Sequence, residues 1–211
     1  MTPTALCAAI TIAAQTFMPM SPGKVKLACE HAPAIIQEAE KNELDPITMV
    51  SLIWVESRWT PTAVSKSGAC GLTQVLPKYV DETCEQLMIP TASIRVGAAS
   101  LKKWATIRVR REGKLVRVPR PGGLRAALAC YNAGYACLKS SKGRRYADSI
   151  LAKSAKITEI IRKNPNNGSA QVLQEPLILY QGAGTVLAYT PWHDGEPAEQ
   201  YVPIYVPGYS P

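Results

Sequence analysis

The chain has 211 residues, 46% of them apolar, and a formal net charge of +8. It is long enough for one domain with a sizeable core plus an extension, and too apolar to be disordered throughout. The charge is uneven, net −2 over residues 24–100, +14 over 101–163 and −4 over 164–211, so the middle of the chain favours an anionic partner. There is no HExxH, no CxxC pair and no Gly-rich phosphate loop. The two histidines, His31 and His193, stand in unrelated contexts, and a Ser-His-Asp triad on His193 would lack a nucleophile elbow. We expect no metal and no organic cofactor.

Residues 1–20, MTPTALCAAITIAAQTFMPM, are small and apolar, and residues 1–23 carry no charged side chain. A secretory signal has this length, but the basic leading segment is missing and Thr4, Thr11, Gln15 and Thr16 dilute the apolar middle. The stretch is too short and polar to predict a membrane span, and Cys7 is in a poor lipoprotein context. We expect residues 1–23 to be an uncleaved apolar arm packed on something.

Asp45 and Pro46 read as an N-cap and first-turn pair, which predicts a helix through ITMVSLIWVESRW, residues 47–59. The run is apolar on every side, the mark of a buried helix. Its one acid is Glu56, near the C-terminal end. Burial and the negative end of the helix both penalise a carboxylate and raise its pKa. A carboxyl group still protonated near neutral pH suits a general acid. The plainer alternative is a helix that ends at Val55, with Glu56 solvated at the exit.

Residues 106–123, TIRVRREGKLVRVPRPGG, predict a basic hairpin between two helices, with strands Thr106–Arg111 and Lys114–Pro119 and a turn at Glu112-Gly113. Such a hairpin suits an anionic polymer: peptide carboxylates, teichoic phosphates or, less well, nucleic acid. No aromatic residues interleave with its arginines, which weakens a single-strand reading. A solvated, charge-protected edge explains it as well as wall binding does. After NPNNGS (164–169), PLILYQ and TVLAYT predict two short strands joined at Gly182–Gly184. The final YVPIYVPGYSP has tyrosines among prolines and no core of its own, so it is either disordered or extended along a partner.

Three short blocks add a family resemblance. Glu56-Ser57, GACGLTQVLP (68–77) and ALACYNAG (127–134) resemble the signatures of the soluble lytic transglycosylase family, followed by a later tyrosine that would be Tyr146. Thr73 stands where that family usually has Met, and Cys130 where it usually has Ala. The resemblance covers about residues 27–163. It implies a lysozyme-like α-helical domain acting on peptidoglycan glycan strands, with Glu56 as the acid and Ser57, Gln74, Tyr131, Asn132 and Tyr146 at the substrate. Gln74 would lie in the sugar cleft, where an amide both donates to and accepts from sugar groups. Tyr131 and Asn132 would offer a flat face and an amide. Ser57 would orient Glu56 or cap the helix. Tyr131 and Tyr146 would otherwise be ordinary core tyrosines.

The six cysteines, Cys7, Cys29, Cys70, Cys84, Cys130 and Cys137, invite disulfides of the periplasm or exterior. Connectivity stays open, reduced thiols fit equally, and Cys130 suits a small buried hydrophobe. The expectation is a mainly α, lysozyme-like domain over residues 24–163, with an inserted basic β-hairpin. Residues 164–211 form a partly extended β and Pro-Tyr-rich tail that docks on other subunits. The implied reaction cleaves between N-acetylmuramic acid and N-acetylglucosamine and closes a 1,6-anhydro ring using one carboxyl. Asp81, Glu82 and Glu85 become candidates only for a hydrolase. The preferred setting is a phage virion acting on the periplasmic wall during genome entry. A free periplasmic or secretion-system enzyme and a structural virion subunit are the alternatives.

Overall fold

The computed structural model describes residues 1–111, 114–137 and 139–164, together with strands at 177–181 and 185–189. Eight α-helices are described: α1 Pro3–Thr16, α2 Pro22–Glu30, α3 Ala32–Lys41, α4 Pro46–Ser57, α5 Cys84–Leu87, α6 Pro90–Ala105, α7 Gly123–Ala133 and α8 Ser141–Lys163. Strands β1 (Thr106–Arg111) and β2 (Lys114–Pro119) lie between α6 and α7. Strands β3 (Leu177–Gln181) and β4 (Thr185–Tyr189) follow α8. The chain is mainly α, as the sequence implied.

Proline explains many helix starts. It occupies the first or second helical position of α1, α2, α3, α4 and α6, where its missing N–H is no loss and its φ is already helical. Side-chain caps finish several of these ends. Asp45 accepts from the Thr48 N–H at 2.9 Å and the Ile47 N–H at 3.2 Å. Thr83 and Gln86 form a reciprocal capping box at α5, and Ser140 accepts from the Gly143 N–H at α8.

Helix α4 is the centre of the core. Ile47 through Ile53 are all buried, on every side of the helix, and α4 packs against α3 and α8. It runs past Val55 to Ser57 and stops where Arg58 and Trp59 both take left-handed backbone, at φ 50° and 56°. The fully buried Trp59 then plugs the core beneath the turn. The apolar N-terminal residues belong to this same core. Leu6, Ile10, Ala13 and Met18 cluster with Ile35, Leu52 and Ile157, so the surface beneath residues 3–16 is the chain's own α2, α3 and α8.

The hairpin pairs Arg108 with Arg117 and Val109 with Val116, antiparallel, on the strand limits that the alternation indicates. The second hairpin pairs Leu177 with Tyr189 through Gln181 with Thr185. The turns 112–113 and 182–184 and the stretch YVPIYVPGYSP lie outside the described residues.

All six cysteines pair, as Cys7–Cys29, Cys70–Cys84 and Cys130–Cys137. Cys130 is buried, but it is half of a disulfide and not a free small hydrophobe. The bridges close separations of 22, 14 and 7 residues, each worth roughly 2–4 kcal/mol in restricted unfolded-state entropy. One ties α1 to α2, and another ties the 68–75 loop to α5.

Candidate active site

The site is built on the last turn of α4. Glu56 is half-buried there, within the helix and not beyond it. Burial raises its pKa from 4.5 to about 7, and a hydrogen bond from Tyr146 opposes the rise. The Tyr146 hydroxyl donates to Glu56 Oε1. Burial and the nearby Glu56 raise the pKa of Tyr146 well above the usual phenol range, so Tyr146 stays a donor at neutral pH. Tyr131, near the end of α7, is held neutral for the same reasons. Its hydroxyl donates to the Thr73 carbonyl at 2.7 Å.

Two glycines permit this convergence. A Cβ on Gly143 would come within 2.9 Å of the Ala129 carbonyl oxygen and 3.1 Å of Ala133 Cβ. Hydrogen at that position lets α8 close on α7 and carry Tyr146, nearly one turn later, to Glu56. A Cβ on Gly97 in α6 would come within 2.5 Å of Thr73 Cβ, so glycine makes the space that Thr73 fills.

Thr73 is the feature that sequence reasoning passed over. Its hydroxyl donates to the Ser93 carbonyl at 2.9 Å, and its N–H donates to Ser93 Oγ at 3.1 Å. Both residues are fully buried. Tyr131 is therefore held by a satisfied polar network that runs into α6. The signal was present as Thr in place of the Met that the resemblance leads one to expect.

The other candidates have different surroundings. The Gln74 Nε2 donates to the Ala63 carbonyl at 3.0 Å and to the Gly71 carbonyl at 2.9 Å. It staples the loop 63–75, and a ligand would meet its carbonyl oxygen and not its NH₂. Ser57 is buried and its hydroxyl donates to the Ile53 carbonyl at 3.1 Å; it bonds one turn back along α4 and not to Glu56. Asn132 is exposed near the end of α7. The structure thus brings Glu56, Tyr131 and Tyr146 together, sets Gln74 in the adjoining loop, and turns Ser57 into the helix.

The acids that a hydrolase could use are occupied or exposed. Glu82 pairs with Arg95 at 2.7 Å, and Asp81 and Glu85 are exposed. Asp45 caps the other end of α4, some ~16 Å along the axis. Among the described residues, no group of three or more His, Cys, Asp or Glu is placed to hold a metal. No helix among them is long and apolar enough to cross a membrane.

Comparison with known proteins bears on the family and the fold. Residues 33–153 match the family model described as "Transglycosylase SLT domain", more than half of the chain. A curated relative, the membrane-bound lytic murein transglycosylase F of Alcanivorax borkumensis, is 31% identical over 112 residues, covering 50% of this chain and 22% of the relative. The fold matches an inactive mutant of the lytic transglycosylase Slt from Pseudomonas aeruginosa, with a TM-score of 0.52 at 19% identity over 74% of this chain and 28% of that one. The chain thus spans about a quarter of each relative's length, and the segment that the family model matches contains Glu56, Tyr131 and Tyr146. On the family-model match over residues 33–153, the chain belongs to the transglycosylase SLT domain family.

Proposed function

We propose that this protein is a peptidoglycan lytic transglycosylase that uses Glu56 as its single acid and base. The observation that carries the reading is a half-buried carboxyl with a pKa of about 7, in a chain 31% identical over 112 residues to a protein named as a lytic murein transglycosylase. At neutral pH much of Glu56 is protonated and can donate to the glycosidic oxygen. As the bond breaks, Glu56 becomes a carboxylate, and the Tyr146 hydroxyl stabilises it. The carboxylate then takes the proton of the muramoyl 6-hydroxyl, which closes the 1,6-anhydro ring and resets the acid.

Burial and Tyr146 are the influences on Glu56 among the described residues. A two-carboxylate glycosidase needs a second acid about 5–10 Å away. Among the described residues no carboxylate is among the influences on Glu56, which favours ring closure over attack by water. The product test is direct. Protein incubated with purified peptidoglycan should release muropeptides ending in anhydromuramic acid. Products heavier by one water, with a reducing muramic end, would identify a hydrolase instead.

Tyr146→Phe gives a second expected outcome. Loss of a hydrogen bond to a charged group should slow turnover by roughly 10–100-fold. Because that bond lowers the Glu56 pKa, its removal should shift the high-pH limb of the activity profile upward. A downward shift would assign Tyr146 a different role.

Three disulfides favour action in an oxidising compartment, and peptidoglycan lies in one. We therefore place the enzyme in the periplasm. Docking on virion or secretion-system subunits would fall to residues 164–211, most of which lie outside the described residues, and nothing in the described domain favours it over a free enzyme.

A further inference from the structure

The hairpin β1–β2 is not used by the chemistry above, and its two faces differ. Ile107, Val109, Val116 and Val118 are half-buried on one face, while Arg108, Arg110 and Arg117 are exposed on the other. Arg108 and Arg117 are direct cross-strand partners. Like charges set opposite each other on a sheet destabilise it. Edge protection does not require that cost, since a single lysine on each strand would serve. Arg117 Nη1 donates to Thr106 Oγ1 at 3.2 Å, and among the described residues no carboxylate forms an ion pair with any of the three arginines. The face therefore presents three exposed arginines, with the exposed Leu115 opposite Arg110.

Its base packs on the end of α6 and, through Trp104, on the turn that follows α7. The Arg120 N–H donates to the Ala105 carbonyl at 2.8 Å and closes the hairpin onto α6. The Arg120 guanidinium lies over the Trp104 ring, 5.8 Å from its centroid. Trp104 meets Tyr135 edge-on at 5.2 Å, and Tyr135 lies three residues beyond Asn132.

We propose that the Arg108, Arg110 and Arg117 face binds the carboxylates of peptide stems on the same wall strand that Glu56 cleaves. This rests on the reading of the protein as a peptidoglycan-cleaving enzyme. Guanidinium suits the task because its fork of N–H donors matches a carboxylate. Stems recur along a glycan strand, so a second grip away from the scissile bond holds the polymer without touching the reacting sugars.

The test is a binding measurement on the full chain carrying Glu56→Gln, so that no outcome depends on turnover. Two soluble glycan preparations serve as probes, one with its peptide stems and one stripped of them by an amidase, the lactyl carboxylates that the amidase exposes then being capped as neutral amides. Adding R108Q, R110Q and R117Q together should weaken binding to stem-bearing strands about tenfold at low salt. Added salt should shrink that difference, and binding to stripped strands should not change. Unchanged binding to stem-bearing strands, or an equal loss on both probes, would overturn the proposal. So would loss of duplex DNA binding with stem binding intact. Without any hairpin substitution, the same chain should show a steeper salt dependence on stem-bearing than on stripped strands; equal slopes would overturn the proposal even if the triple variant fails to fold.

Discussion

Glu56→Gln should lower turnover on peptidoglycan by ~10²–10⁴-fold, the usual worth of a positioned general acid and base. The substitution keeps the shape, and a glutamine oxygen still accepts from Tyr146. A loss smaller than about tenfold, with helical content intact, would mean that another group donates the proton. The same variant carries a stability signature. Glu56 titrates at about 7 in the folded chain against 4.5 when unperturbed. Between these values the folded protein holds a proton that the unfolded chain has released. Stability therefore falls as pH rises through that window, and above it the folded state has lost about 3 kcal/mol. Glutamine removes the effect. In denaturant titrations at about pH 8 the variant should be the more stable protein, and the two should converge as the pH falls towards 4.5. Losing activity while gaining stability is the behaviour of an acid whose burial serves catalysis.

Gly71→Ala should be the most damaging single methyl in the site loop. Gly71 has φ +77°, and a Cβ there would overlap the Leu87 carbonyl and come within 2.8 Å of Ser93 Oγ. The obstacle is mostly backbone, which cannot rotate away as a side chain does. A cost of about 4 kcal/mol or more is expected, with a melting temperature lower by roughly 10 °C. Gly68 supplies the control. Its φ is +81°, but nothing lies within 4 Å of the position a Cβ would take. Gly68→Ala should cost only left-handed strain, roughly 1–2 kcal/mol. Equal, small shifts in melting temperature for both variants would show that the loop can move off α5 and is not the rigid wall described here.

The elements legible in the sequence were those with a local signature. Asp45-Pro46 marked the start of α4, the apolar run marked its burial, and alternating Val and Arg marked both strands of the hairpin. Glu56 was legible because it is the one acid in an apolar run. What could not be read depends on long-range packing. The pairing of Cys70 with Cys84 requires knowing that the loop folds onto α5. The buried hydrogen bonds of Thr73 to Ser93 link residues twenty positions apart. The left-handed backbone at Arg58, Trp59 and Gln74 has no compositional cue, because none of the three is Gly, Asn or Asp. The apolar first twenty residues gave the right propensity for packing but not the partner, which proved to be the domain's own core. For Gln74 and Ser57, residue type indicated hydrogen bonding, and only the fold decided that the partners are the backbone of the loop and of the helix.

Catalysis by Glu56 requires that it hold its proton near neutral pH, and the titration of that one carboxyl measures this. Carbon-13 NMR of protein labelled at the glutamate side-chain carboxyls, with the Glu56 signal assigned by its absence in Glu56→Gln, follows the group alone. The expected midpoint is about 7. A midpoint near the ordinary 4.5 would make Glu56 a carboxylate at neutral pH and contradict its role as the acid.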